Sequence, residues 1–200
     1  MSPSAVSTTS SPTPIPASKT STNSTTQNGT TDAEIPAWVN PDLTRLMRVE
    51  KRPGAFASAS YSLVSLPAGA VFARITSPTP ATVAYSSVQA AKNLHIELNC
   101  DLVYINHSCS PTLIFDMKRW EVRVNPDLER GLREGDELTF FYPSTEWSMA
   151  QPFECLCKTG MCKGTIKGAR DMRVSDLDDY WLSEHVKELL HERDAGRKGI

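Results

Sequence analysis

The 200-residue sequence has no apolar run approaching the roughly 18 residues that a membrane span requires. No basic segment followed by an apolar one lies near Met1, which argues against a secretory signal, and the clustered arginines of a mitochondrial leader are missing too. Charge of one sign is also lacking: 21 Lys and Arg stand against 23 Asp and Glu, a formal net charge of −2 mixed along the chain. No basic stripe of the kind that tracks phosphates is present, so no direct nucleic-acid footprint is expected. A local acidic groove for a basic peptide remains compatible with this balance. Cysteine is scarce, five in all. An odd count without an export signal disfavours a disulfide scaffold, and reduced thiols in the nucleus or cytoplasm are expected. No internal repeat is visible.

What is present divides the chain in four. Residues 1–33 are mostly Ser and Thr with interspersed Pro and no apolar periodicity, a composition that cannot offset its ordering entropy, so a disordered tail is expected. From about residue 36 to 150, short β-favouring runs ("FASAS", "AVFARI", "NLHIEL", "DLVYI", "WEVRV", "ELTFFY") alternate with Pro, Gly, Asn and Asp, which predicts a small, mainly β domain of curled sheets. "KRPGAF", "LPAGAV" and "REGDEL" read as turns with glycine where positive φ is convenient. A cysteine-bearing segment occupies 151–170. Over 174–194, Ser175 followed by acidic residues, with Leu177, Tyr180, Trp181, Leu189 and Leu190 near helical spacing, predicts a C-terminal helix packed on the domain.

Two stretches carry chemistry. "CLCKTGMC" (155–162) sets Cys155, Cys157 and Cys162 as C-x-C-x4-C, three thiolates able to reach one ion, whereas a closed structural zinc site wants four. The fourth must come from elsewhere: Cys109 and Cys100 are the thiol candidates and His107 a nitrogen donor. "CDLVYINHSCSP" (100–111) places Asn106, His107 and Cys109 side by side after a strand-like run. Joining Cys109 to the 155–162 loop would fold the tail back over Asn106 and His107 as a lid.

These pieces resemble the SET-domain family of protein-lysine methyltransferases with a post-SET zinc segment. "INHSCSP" (105–111) is similar to the family's N-H-S-C-x-P-N, "GDELTFFY" (135–142) to its G-E-E-L-T-x-D-Y, and "CLCKTGMC" to the post-SET C-x-C-x4-C. "RPGAFAS" (52–58) is similar to the glycine-bearing opening turn, and "LPAGAVF" (66–72) to the strand after it. The resemblance implies a mainly β SET fold with a pseudoknot, a zinc-bound post-SET loop and a C-terminal helix. It implies transfer of methyl from S-adenosyl-L-methionine to a lysine amine of a protein, a histone being one candidate, and a nuclear or cytoplasmic setting. A fold retained as a silent recruitment module is the second reading.

By motif position, Tyr142 takes the catalytic role. Gly54, Ala55, Phe56, Asn106, His107 and Leu156 fall on the cofactor's side together with Tyr142. Cys109, Cys155, Cys157 and Cys162 become the structural zinc ligands, leaving Cys100 as a free core thiol. Phe140 sits at the position that governs methyl number, where Phe leaves room for two or three, and Tyr85 falls near the substrate channel. The chain departs from the pattern at Arg52, in place of the first opening glycine, at Thr112 for Asn and at Phe141 for Asp.

Overall fold

The computed structural model describes residues 42–54 and 57–198. The Ser/Thr/Pro segment expected to be a disordered tail lies outside them, as do Ala55 and Phe56. A single helical turn, α1 (Leu43–Leu46), is capped by Asp42, whose carboxylate accepts from the Thr44 N–H at 3.2 Å. It leads into β1 (Met47–Lys51), which pairs antiparallel with β2 (Ser58–Ser62). Then follow β3 (Val71–Arg74), β4 (Thr79–Ala81), β5 (Val88–Ala91) and β6 (Leu94–Glu97), and the two-residue β7 (Asn106–His107). The remaining strands are β8 (Leu113–Asp116), β9 (Glu121–Val124), β10 (Thr139–Phe140), β11 (Phe153–Glu154) and β12 (Thr165–Ile166), before the helix α2 (Glu184–Lys198). One three-stranded sheet has the order β3-β9-β8 and another β4-β6-β5, with β7-β10 and β11-β12 as separate pairs. All pair antiparallel except β7 with β10.

The main core is filled by β3, β8 and β9 and the loops that return to them: Phe72, Leu98, Leu102, Ile105, Leu113, Phe115, Val122, Val124, Leu132 and Leu138 are each essentially inaccessible. Burying one such side chain contributes about 1.5–3 kcal/mol. Gly131 closes the turn beneath this core at φ +67°, where a Cβ would lie 2.6 Å from the Leu66 carbonyl oxygen.

Two expectations about elements need correction. "DLVYI" is not a strand: Asp101–Tyr104 form a 3-10 turn, in which Val103 N–H donates to the Cys100 carbonyl at 3.2 Å. That turn places Leu102 and Ile105, three residues apart, in the core together, whereas strand alternation would have sent them to opposite faces. The helix expected over 174–194 begins only at Glu184, and Ser175 belongs to a 3-10 turn at Val174–Asp176. Tertiary contacts hold the intervening chain out of a helix. The Tyr180 ring stacks on Phe141 at 3.7 Å, and Ser183 donates from its N–H to the Ser144 carbonyl and from its hydroxyl to the Phe115 carbonyl. Strands β1, β4, β5, β7, β8, β11 and β12 lie outside the runs read as β-favouring.

Phe141, Ala169, Met172, Leu177, Leu182 and Val186 form a second, smaller core that fixes the tail. The tail joins the domain through Ala169 N–H to the Glu146 carbonyl (2.8 Å) and Arg170 N–H to the Trp147 carbonyl (3.0 Å). Such close approach is possible because residue 168 is glycine, where a Cβ would overlap the Trp147 carbonyl. Gly168→Ala is therefore expected to destabilise the protein by about 1–3 kcal/mol through overpacking. Gly160→Ala, with open space around the added atom, should stay within about 0.5 kcal/mol. Denaturant unfolding of the two variants checks the contrast, and equal midpoints would contradict it.

Candidate active site

The site is assembled where β7 meets β10. Asn106 lies opposite Thr139 and His107 opposite Phe140, so the "INHSCSP" and "GDELTFFY" segments run side by side. Ser108 N–H extends the pairing to the Phe140 carbonyl at 3.1 Å. Successive side chains after this point alternate in direction. Phe140 turns to the main core and stacks on Phe115 at 4.1 Å, Phe141 turns to the second core, and Tyr142 returns to pack against the first.

Tyr142 is held at both ends. Its N–H donates to His107 Nδ1 at 3.3 Å, and its hydroxyl donates to the Ile105 carbonyl at 3.3 Å. Burial, reinforced by the charge of Glu146, pushes its pKa up to about 12, so at neutral pH it is a protonated phenol. Because Nδ1 of His107 accepts, its proton resides on Nε2, which lies 3.4 Å from Cys109 Sγ. Burial lowers the pKa of this imidazole to about 4 and keeps it neutral. His107 thus links the phenol's backbone to a cysteine sulfur. Asn106 Nδ2 donates to the Ser58 carbonyl at 2.5 Å, tying the corner to the strand that follows Gly54. Gly54 itself has φ +119° in an exposed turn.

The sulfurs of Cys109, Cys155, Cys157 and Cys162 all lie within 4.8 Å of one another, with Cys109 and Cys155 at 3.8 Å. The edge of a tetrahedron with Zn–S bonds of 2.3 Å is also about 3.8 Å. Cys100 stays apart, packed against the main core with its thiol pKa raised by burial. Backbone N–H groups of Lys163 and Cys157 donate to the sulfurs of Cys109 and Cys155 at 3.3 and 3.5 Å, as second-sphere donors around bound thiolates do. Burial works to raise the Cys157 thiol, yet the Thr159 hydroxyl at 3.3 Å and the Thr159 N–H outweigh it and bring it down to about 6. The loop turns through positive φ at Lys158 and Gly164 rather than at Gly160. No residue from Gln151 to Thr165 is buried, so this segment has no apolar core of its own. Donor set, spacing and lack of a core all fit a structural metal ion.

A cavity of about 530 Å³ opens beside these groups, within the range of small-molecule sites. Asn106, His107, Phe140, Tyr142, Phe153 and Leu156 contribute to its wall, and Tyr85 lies at its edge with 77% of its surface exposed. Leu156 is 82% exposed, placed as a flap on the cysteine loop. The structure therefore brings together every described residue singled out from the sequence except Gly54, which does not line the cavity.

One cavity group was missed. Glu146 is buried, and its Oε1 accepts from the Gln89 N–H at 2.8 Å and the Thr145 hydroxyl at 3.2 Å. Its signal was legible, since it is the sole charged residue between Leu138 and Phe153 and stands four positions after Tyr142.

No family model matches the chain. Over 157 residues it is 53% identical to methyltransferase flvH of Aspergillus flavus, an alignment covering 78% of this chain and 87% of that protein. It is 32% identical over 84 residues to the histone-lysine N-methyltransferase ash1 of Drosophila melanogaster, covering 40% of this chain and 4% of that one. Against the H3 lysine-36 specific histone-lysine N-methyltransferase of Mycosarcoma maydis the figures are 32% over 83 residues, 40% and 8%. These relatives make the chain a methyltransferase, and its small sheets, parallel two-residue seam and four-cysteine cluster are consistent with that kinship. The chain belongs to the SET-domain methyltransferases. No helix among the described residues is long and apolar enough to cross a membrane.

Burial raises the Glu146 carboxyl from 4.5 to about 7, its hydrogen bonds pulling the other way. A carboxyl whose folded pKa exceeds its unfolded one stabilises the fold fully below about pH 4.5, and that contribution disappears as pH rises through about 7. The displacement is worth about 3 kcal/mol. Wild-type unfolding free energy should accordingly fall across this window relative to Glu146→Gln. Denaturant titrations at several pH values read the difference, and parallel pH curves for the two proteins would contradict it.

Proposed function

We propose that this methyltransferase uses S-adenosylmethionine to methylate the side-chain amine of a lysine in a protein, with a histone as the first candidate. The carrying observation is the protonated Tyr142 phenol, held by His107 and Ile105 at the wall of an apolar cavity large enough for a cofactor and an inserted side chain. The histone-lysine names of two relatives support the lysine, and a chromatin or other protein substrate would place the enzyme in the nucleus or cytoplasm.

S-adenosylmethionine supplies, when bound, a sulfonium methyl whose carbon a neutral amine attacks in line, with the thioether as leaving group. The protein's part is then mainly alignment, worth several kcal/mol and up to about 7–11 in favourable cases. Tyr142 directs its hydroxyl, together with the Ile105 carbonyl it already meets, at the reacting amine. Asn106 holds the amino-acid end of the cofactor, His107 offers main-chain groups to the adenine, and Leu156 covers it. Phe140, stacked on Phe115 with no hydroxyl to fix a water, leaves space for two or three methyls. Tyr85 borders the lysine's entrance. Residues 36–150 act as the catalytic domain, 151–170 as a lid and the C-terminal helix as its anchor.

Cys109, Cys155, Cys157 and Cys162 would hold Zn²⁺ as thiolates and so cross-link the lid to the strand end beside Asn106 and His107. Structural zinc of this kind is worth about 10–16 kcal/mol of apparent binding energy in small peptides.

Labelled methyl transfer to a lysine peptide array should give signal with the wild type and lose it by at least about 100-fold in Tyr142→Phe, with more than one methyl on the product. Cofactor binding without transfer to any lysine would defeat the proposal, and strictly monomethylated product would defeat the reading of Phe140. Elemental analysis should find about one zinc per chain, lowered by Cys157→Ser, and chelation should weaken S-adenosylmethionine binding. Metal-free protein with unchanged cofactor affinity would refute the lid.

A further inference from the structure

Among the described residues the cavity is lined by three carboxylates, Glu137, Glu146 and Glu154, and by no lysine or arginine. Glu137 and Glu154 are exposed at its rim, and Glu154 is engaged by the Thr165 hydroxyl at 2.6 Å. Glu146 differs from both in being 8% exposed and rigidly mounted. Its N–H donates to the Tyr142 carbonyl at 3.1 Å, so phenol and carboxyl project from one helical turn, four residues apart. Oε1 is committed to Gln89 and Thr145, while Oε2 has no protein partner among the described residues. Gln89 is fixed in return, since its Oε1 accepts from the Trp147 N–H at 2.8 Å. An unpaired carboxyl buried in this way carries the stability cost worked out above. Nothing in the packing requires it, because a glutamine would equally accept from Gln89.

We infer that Glu146 is the residue that receives the substrate's amine: its cavity-facing oxygen pairs with the ammonium as it enters and then takes a proton from it. This deepens the lysine reading and rests on it. Amine attack requires a nitrogen lone pair, whereas an unperturbed lysine, of pKa about 10.4, enters charged. In a desolvated cavity, passing one proton from nitrogen to carboxylate turns an ion pair into a neutral acid and a neutral amine, the exchange that burial favours. The amine then forms the new N–C bond as the S–C bond breaks. One positive charge passes from sulfur to nitrogen, and the carboxyl's proton returns to solvent when product leaves. A carboxyl poised near 7 suits this shuttle. The other titratable groups around it are Tyr142 on its own turn, His107 on β7, His95 on β6 opposite Gln89, and His185 on α2, whose Nε2 lies 2.8 Å from the Thr145 carbonyl. Burial lowers the pKa of each of these three imidazoles.

The test uses the full chain with S-adenosylhomocysteine bound. Calorimetry compares N-acetyl-lysine methylamide with N-acetyl-norleucine methylamide, which lacks only the amine. Wild type should bind the lysine amide at least tenfold more tightly, and more tightly still as pH rises from 6 to 8. Glu146→Gln should bring the two ligands within about twofold while S-adenosylhomocysteine affinity stays constant, and kcat/KM should lose its rise near pH 7. A variant that keeps the preference for lysine and the wild-type pH profile overturns the role of Glu146 and leaves the lysine reading standing. A wild type that binds S-adenosylhomocysteine but shows no preference for the lysine amide sinks the lysine reading itself. Should the variant fail to fold, a wild-type preference that does not change with pH is enough to overturn the inference.

Discussion

The parallel pairing of Asn106 and His107 with Thr139 and Phe140 is the constraint on which the rest of the molecule depends. Parallel strands cannot be joined by a tight turn and need a long connection. Here that connection contains β8, β9 and the Gly131 turn, which is to say much of the main core. The seam is therefore closed across much of the core. Its position is set by side chains well away from the chemistry, such as Phe115 under Phe140 and Leu132 bridged to Leu66.

The three aromatics that end the second segment convert this seam into function by alternation alone. Phe140 and Tyr142 share one side and Phe141 takes the other. Phe141 departs from the acid of the motif that this stretch resembles, and the second core accommodates it: its ring stacks on Tyr180, whose hydroxyl in turn donates to the Cys109 carbonyl at 2.8 Å. A carboxylate facing that ring would be desolvated without a partner. The apolar ring at 141 and the tail that follows thus pack as one unit.

Much of this was legible in the sequence, unevenly and for physical reasons. The cysteine spacing marked Cys155, Cys157 and Cys162 as partners because their geometry is local, but it left the fourth open among Cys109, Cys100 and His107; the family resemblance pointed to Cys109, whose sulfur lies with the other three. The glycine turns at Gly54, Gly69 and Gly135 were readable from composition, and all three adopt positive φ. Strand identity was less so. "DLVYI" has β-forming composition, yet its burial at Leu102 and Ile105 follows a period of three that only the surrounding core imposes. Strand β8 is buried along its whole length and so shows none of the alternation by which a half-exposed strand is recognised. The C-terminal helix started late because Tyr180 and Ser183 found tertiary partners stronger than local helix propensity. Glu146 was overlooked because a lone glutamate in a loop reads as a solvated charge. Its isolation among uncharged neighbours was the sign that it is not.

The tail is fastened twice, and the two fastenings divide its work. The second core buries Phe141, Met172, Leu177, Leu182 and Val186, enough apolar surface to dock residues 166–198 without help from any ion. Between Gln151 and Thr165 nothing is buried, and the β11-β12 pair with two residues on each side is the only sheet contact among the described residues there. Order in that stretch must come from the thiols. The ends of the loop are consequently fixed by packing, and its middle is drawn to the strand end at Cys109 by the four clustered sulfurs, with Leu156 between two of them.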